Sequence, residues 1–184
     1  RFGKSLLIST LENYFLGRQE LFKGLAIDAL EKDWQEYPVF HIDFNSSNFT
    51  EAGVLDQKID AQVAAWEEIY GRPKMEVDVG GRFAQVLRRA HEQTGRRCVV
   101  LIDEYDKPLL DVMDTDYTIE VSGQRRRLED WNREVLRGFY SVFKAADNDL
   151  QFVLLTGVTK FAQVSVFSGF NQANDISMSE KYEA

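Results

Sequence analysis

Apolar residues along this chain alternate between helical spacing and short unbroken runs. Leu7, Leu11, Tyr14 and Phe15 share one face of a helix that starts near Ser5 and stops at Gly17. A second short helical stretch is expected over residues 20–34. Residues 38–44 then read as a strand, with Pro38 at its first position, where a missing N–H is tolerated. After loop chemistry at 45–48, Leu55, Ile59, Val63, Trp66 and Tyr70 recur at three- and four-residue spacing, which predicts a long helix closed by Gly71. Phe83, Val86, Leu87 and Ala90 mark another, ended by Thr94-Gly95.

Residues 98–104 (Cys-Val-Val-Leu-Ile-Asp-Glu) form an apolar run closed by two acids, the pattern of a strand covered on both faces of a parallel sheet. A polar loop over 111–123 precedes a helix carrying Leu128, Trp131, Val135, Phe139 and Val142, and residues 151–157 read as a second buried strand. Strands separated by helices predict right-handed crossovers and an α/β fold with a mostly parallel sheet. Ligands of such sheets sit at the carboxyl ends of the strands, where Asp103, Glu104 and Thr156 fall.

Composition narrows the classes without choosing among them. With 184 residues, 44% hydrophobic and 28% charged, the chain suits one domain over residues 1–184 with a sizeable core. A net charge of −8 argues against a whole-domain nucleic-acid surface, and no nucleic-acid contact is evident. No apolar stretch approaches the roughly 20 residues that span a bilayer. The one cysteine, Cys98, excludes an internal disulfide and reads as a buried small hydrophobe. The sequence begins with Arg and with a motif already under way, so we expect a piece of a longer protein.

That motif is Gly3-Lys4-Ser5, directly ahead of the first helix. It matches the second half of a phosphate-binding loop. There the Lys reaches the β- and γ-phosphates and the hydroxyl binds Mg²⁺, while the helix N-terminus offers free N–H groups to an anion. Gly3, Lys4, Ser5 and Leu6 are therefore the candidate nucleotide-binding residues, with Ser5 also a metal ligand. Residues 99–104 match a Walker B motif. Asp103 is placed to hold Mg²⁺, directly or through water, and Glu104 to orient and activate the attacking water. Thr156 serves equally as a γ-phosphate sensor or as a strand-end residue feeding the turn at Gly157; Thr159 and Lys160 are second choices for the sensor.

Other polar residues read mainly as structural. Asp106 joins a metal shell through water or, by preference, pairs locally with Lys107. Arg125, Arg126 and Arg127 are best read as an acid-paired helix entry, with an arginine finger or phosphate contact as the alternative. Arg137 is open to a finger or interaction role. His41 reads as a core or edge histidine and His91 as exposed on its helix; neither belongs to a metal pattern. Asp111, Asp114 and Asp116 lack the spacing of a calcium loop.

Four stretches together resemble the AAA-ATPase-like family of bacterial proteins: residues 1–7 (Arg-Phe-Gly-Lys-Ser-Leu-Leu), 101–109 (Leu-Ile-Asp-Glu-Tyr-Asp-Lys-Pro-Leu), 136–141 (Leu-Arg-Gly-Phe-Tyr-Ser) and 156–161 (Thr-Gly-Val-Thr-Lys-Phe). The resemblance implies a three-layer P-loop NTPase core with an added strand between the Walker motifs, here residues 38–44. It also implies a strand and basic turn ahead of Arg1, absent from the sequence. A helical region and often a restriction-endonuclease-like domain follow the core in that family. Without the first strand, the segment alone is expected to fold poorly or bind nucleotide weakly.

Taken together, these readings make the chain an ATP-binding and ATP-hydrolysing core, with ATP and Mg²⁺ as cofactors. It would act as the motor or switch of a larger bacterial, cytoplasmic protein. Expected partners are a C-terminal effector domain outside the chain and a protein partner or second copy. The rival reading is a nucleotide-dependent scaffold with negligible turnover. A small-molecule phosphotransferase would not need Glu104 beside Asp103, and nothing supports a nuclease.

Overall fold

The apolar run at 98–103 forms the central strand of the sheet because each of its six residues is buried. The computed structural model describes residues 3–73, 77–158 and 176. In chain order the elements are α1 (Lys4–Phe15), a 3₁₀ turn (Gln19–Phe22), α2 (Ala26–Leu30), β1 (Val39–Asp43), α3 (Val54–Tyr70), α4 (Val79–Thr94), β2 (Cys98–Asp103) and α5 (Lys107–Leu110). They continue with β3 (Thr118–Val121), β4 (Gln124–Arg127), α6 (Leu128–Tyr140), α7 (Val142–Ala145), a 3₁₀ turn (Asp147–Asp149) and β5 (Leu150–Leu155). The main sheet has the order β1-β2-β5, with both pairings parallel. Asp43 is in register with Asp103 and Ile102 with Leu155, so all three strands end at one rim. Among the described residues β5 pairs on one edge only, with β2.

Side chains alternate across the sheet and fill two cores. Phe40, Ile42, Val100 and Ile102 face α3, α4, α6 and α7, in a cluster with Phe83, Leu87, Phe139 and Phe143. Val99 and Leu101 face the other way, onto Ile8 of α1 with Leu11, Phe15, Phe152 and Leu154 around them. The sheet thus has helices on both faces, as its unbroken apolar strand requires. Cys98 is fully buried, its thiol pushed up to about 12 by desolvation and then by the charge of Asp149. Among the described residues, no helix is long and apolar enough to cross a membrane.

Several expectations need correction. The inward face of α1 is set by Ile8, Leu11 and Phe15, whereas Leu7 is 46% exposed. No continuous helix covers 20–34. Gly24 takes φ 81°, and the Glu31 carboxylate accepts the N–H groups of Lys32 and Asp33, a side-chain turn that stops α2. Residues 31–38 between α2 and β1 have no regular secondary structure, and Trp34 packs on Tyr14 and Phe22. The expected loop at 111–123 instead holds β3, which pairs antiparallel with β4. Ser122 and Gly123 both have positive φ (51° and 76°), the geometry of a two-residue hairpin turn. Arg125, Arg126 and Arg127 therefore lie on a strand that the sequence did not announce, and Arg127, as the residue before Leu128, also stands at the expected entry to α6. Acid pairing does hold for Arg126 with Glu134 at 2.5 Å and for Arg127 with Glu129 at 2.8 Å. His91, expected to be exposed, is partly buried with Nδ1 2.8 Å from Asp149.

One buried ion pair ties α3 to α4. Glu67 is 5% exposed and accepts from Arg82 Nε at 2.9 Å and Nη2 at 2.6 Å, while Arg82 also binds Asp60. The Arg82 hydrogen bonds hold the Glu67 carboxyl below its ordinary value of 4.5. A carboxylate with a depressed folded pKa adds stability that is complete above the unfolded value and is lost as pH falls through the folded one. Glu67→Gln is expected to lose about 2 kcal/mol at pH 7, under the ~3–5 kcal/mol of a fully stranded buried charge because Asp60 still faces Arg82. In urea titrations from pH 7 to pH 3, the gap between wild type and variant should close below about 4.5. A gap independent of pH would mean that Glu67 acts through packing alone.

Candidate functional site

Three chain segments converge at the rim where the strands end. Asp103, the last residue of β2, is 6% exposed, and its carboxylate collects three donors. Oδ2 accepts from Ser5 Oγ at 3.0 Å; Oδ1 accepts from the Glu104 N–H at 3.1 Å and from the Thr156 hydroxyl. Ser5 sits in the first turn of α1 and Thr156 directly after β5, so residues 98 and 53 positions from Asp103 meet on one carboxylate.

Glu104 follows with a left-handed φ of 53°, uncommon for a residue other than glycine. That turn takes its side chain out of the strand alternation and onto Lys4, whose Nζ donates to Oε1 at 2.8 Å. The pair is about one-quarter exposed on each side (27% and 22%). Gly3 precedes α1 at φ 102°, where a side chain would be strained, and a β-carbon there would meet nothing within 4 Å. Among the described residues no side chain caps the start of α1, and no acid lies in its first turn, which leaves its leading N–H groups without a side-chain competitor there. Leu6 can contribute to a site only through its backbone, because its side chain is 72% exposed.

The sequence-derived candidates Lys4, Ser5, Asp103, Glu104 and Thr156 are thus brought together, with Gly3 and the Leu6 N–H at the same helix end. Thr159 and Lys160 lie outside the described residues. Asp106 is not Lys107's partner. Lys107 Nζ donates to Asp111 Oδ2 at 2.5 Å, and Asp106 instead takes the N–H of Val158. Among the described residues, no group of three or more His, Cys, Asp and Glu side chains is placed to hold a metal ion.

A cleft of about 340 Å³ is lined by Lys4, Ser5 and Glu104 together with Asn45, Lys107 and Asp111. The last three were read from sequence as loop or structural residues. Two signals place them here: Asn45 follows a strand in register with β2, and Lys107 and Asp111 have helical i, i+4 spacing just after it. Lys107 also lies 5.6 Å from the centre of the Phe49 ring. A second cleft, of about 220 Å³ between Tyr14, Glu31, Trp34 and Tyr37, lies apart from this chemistry. Its Glu31 carboxylate is already engaged by the Tyr14 hydroxyl at 2.6 Å and by two backbone N–H groups.

The model of a family described as a predicted AAA-ATPase matches residues 1–167. A protein of Azotobacter chroococcum mcd 1, described as an uncharacterized protein in the vnfD 5′ region, is 38% identical over the whole chain. The chain spans about a third (34%) of that relative's length. No solved structure matches the chain.

Proposed function

Because the chain belongs to the predicted AAA-ATPase family, we propose that it is the ATP-binding and ATP-hydrolysing core of a larger protein, built as a P-loop NTPase. The observation that carries this reading is the meeting of α1 with the end of β2: Lys4 on Glu104 at 2.8 Å and Ser5 on Asp103 at 3.0 Å. The N–H groups of Gly3 to Leu6 and the Lys4 ammonium hold phosphates, as a helix N-terminus with an adjacent cation does. Thr156 holds the Asp103 carboxylate and reports the γ-phosphate, and Glu104 takes the proton of the attacking water.

The donor set fits Mg²⁺. Ser5 and Asp103 supply hard oxygen ligands, and Mg²⁺ takes few protein ligands because it keeps waters and phosphate oxygens. When bound, the ion supplies charge neutralisation at the phosphates. A C-terminal effector domain, and a protein partner or second copy acting on it, complete the proposal. The length of the relative supports this part, since it leaves room for further domains.

The test is nucleotide titration of the full-length protein with and without Mg²⁺. Asp103→Asn is expected to weaken Mg²⁺-dependent ATP binding by at least roughly 10–100-fold, since losing a ligand should cost no less than losing a group that only orients one. Affinity measured in EDTA should change little. Wild-type binding that is absent, or indifferent to both Mg²⁺ and Asp103, would overturn the reading. The Lys4–Glu104 pair also favours a second reading, a nucleotide switch with negligible turnover, because it occupies the phosphate cation and the base together. Single-turnover hydrolysis separates the two.

A further inference from the structure

We propose that Asp106 is a positioning residue that locks the turn after β5 onto the turn after β2, and so sets where Thr156 stands against Asp103; this rests on the ATPase reading above. Three hydrogen bonds lace the two turns together. Thr156 N–H donates to Ile102 O at 2.9 Å, Tyr105 N–H to Thr156 O at 2.9 Å, and Val158 N–H to Asp106 Oδ2 at 2.8 Å. The first two are backbone bonds that any sequence could make. The third depends on a side chain, and that side chain is fully buried at 0% exposure.

Burying a carboxylate is unfavourable unless directional hydrogen bonds compensate it, so packing alone does not account for Asp at this position. The strand neighbour is fitted to it. At Gly157, a β-carbon would fall 2.7 Å from Asp106 Oδ1 and 2.5 Å from Tyr105 Cε1, so the turn lies flat against both side chains. Tyr105 is braced in turn, its carbonyl accepting from the Tyr140 hydroxyl at 3.3 Å. Thr156 therefore has fixed points on both sides: the β2–β5 ladder before it and the Asp106–Val158 bond after it. The hydroxyl that binds Asp103 has little freedom to leave, and Val158 is held on the wall of the cleft. The phosphate grip lies on a different element, α1, and does not pass through Asp106.

The experiment uses the full-length protein with Asp106→Ala and Asp106→Asn, reading kcat and KM for ATP together with hydrogen exchange of the Val158 amide. Asp106→Ala should lower kcat by roughly 10–100-fold, the scale of a small misplacement near reacting groups. KM should stay within about twofold, since this change acts on the transition state rather than on binding. The Val158 amide should lose protection. Asp106→Asn keeps an acceptor oxygen and should recover the amide protection and much of kcat. A folded Asp106→Ala protein with unchanged kcat, or with Val158 still protected, overturns the proposal. So does an Asp106→Asn variant that is folded but no better than Asp106→Ala. A wild type that hydrolyses no ATP defeats the ATPase reading instead, and the exchange measurement still decides whether Asp106 holds the turn.

Discussion

Glu104→Gln is expected to cut ATP turnover by roughly 10²–10⁴-fold in the full-length protein, the range for losing a positioned general base. ATP binding should survive, and the reason lies in the ion pair. In the wild type an incoming phosphate competes with Glu104 for the Lys4 ammonium, 2.8 Å away. Glutamine keeps the shape and removes the charge, so that competition weakens. The pair is about one-quarter exposed on each side, which limits its worth to about 1 kcal/mol or less. The gain in ATP affinity should accordingly be no more than about fivefold. Phosphate release and titration with a fluorescent ATP analogue, run on the same preparations, measure both effects. Turnover at the wild-type rate would remove Glu104 from the role of base. A large drop in affinity would show instead that the carboxylate organises the phosphate site.

The rim of the sheet was legible in the sequence because apolar runs and their polar ends are local signals. Residues 98–103 read as a doubly covered strand, which puts Asp103 and Glu104 at its carboxyl end, and the strand Leu150–Leu155, only partly buried where a buried one was expected, leaves Thr156 beside them. The pairing of Gly3-Lys4-Ser5 with those acids was legible from motif order. What was not legible depends on contacts distant in sequence or on weak local patterns. β3 and β4 are four residues each, and β4 reads Gln-Arg-Arg-Arg, with no apolar alternation to announce a strand. The 20–34 region has helical apolar spacing, but Gly24 and the Glu31 side-chain turn override it.

Asp106 was read as a partner of Lys107 because the two are adjacent in sequence. Its carboxylate instead accepts from Val158, 52 residues away and brought there by the parallel pairing of β5 with β2. Asn45 enters the cleft for the same reason: the register of β1 with β2 carries the turn after Asp43 to the rim. Sequence reading thus found the residues with intrinsic chemistry and missed those whose importance comes from where the sheet puts them.

Phe83→Ala is expected to be the most destabilising single change in the core. Phe83 is fully buried in α4 and stacks on Trp66 of α3 at 5.0 Å and on Phe139 of α6 at 5.2 Å between centroids. It also meets Phe40 of β1 edge-on at 6.0 Å and Phe143 of α7 at 6.4 Å. One side chain thus joins four other elements, and no neighbour can fill the hole without leaving another partner. The expected loss is about 3–5 kcal/mol, a large share of the roughly 5–15 kcal/mol that holds a typical domain folded. Urea titration should show a lower midpoint at an unchanged slope, and Phe83→Leu should recover at least half of the loss. The variant also tests the site from a distance, because Phe83 packs under the sheet while the cleft lies at its rim. If the folded chain binds Mg·ATP, nucleotide at about 100 times its Kd should return about 2.7 kcal/mol to Phe83→Ala by mass action. A midpoint that moves back with Mg·ATP, but not when Asp103→Asn is added, would tie the stability of this core to the rim carboxylate. A midpoint indifferent to nucleotide would mean that the folded state has no higher affinity for ATP than the unfolded chain.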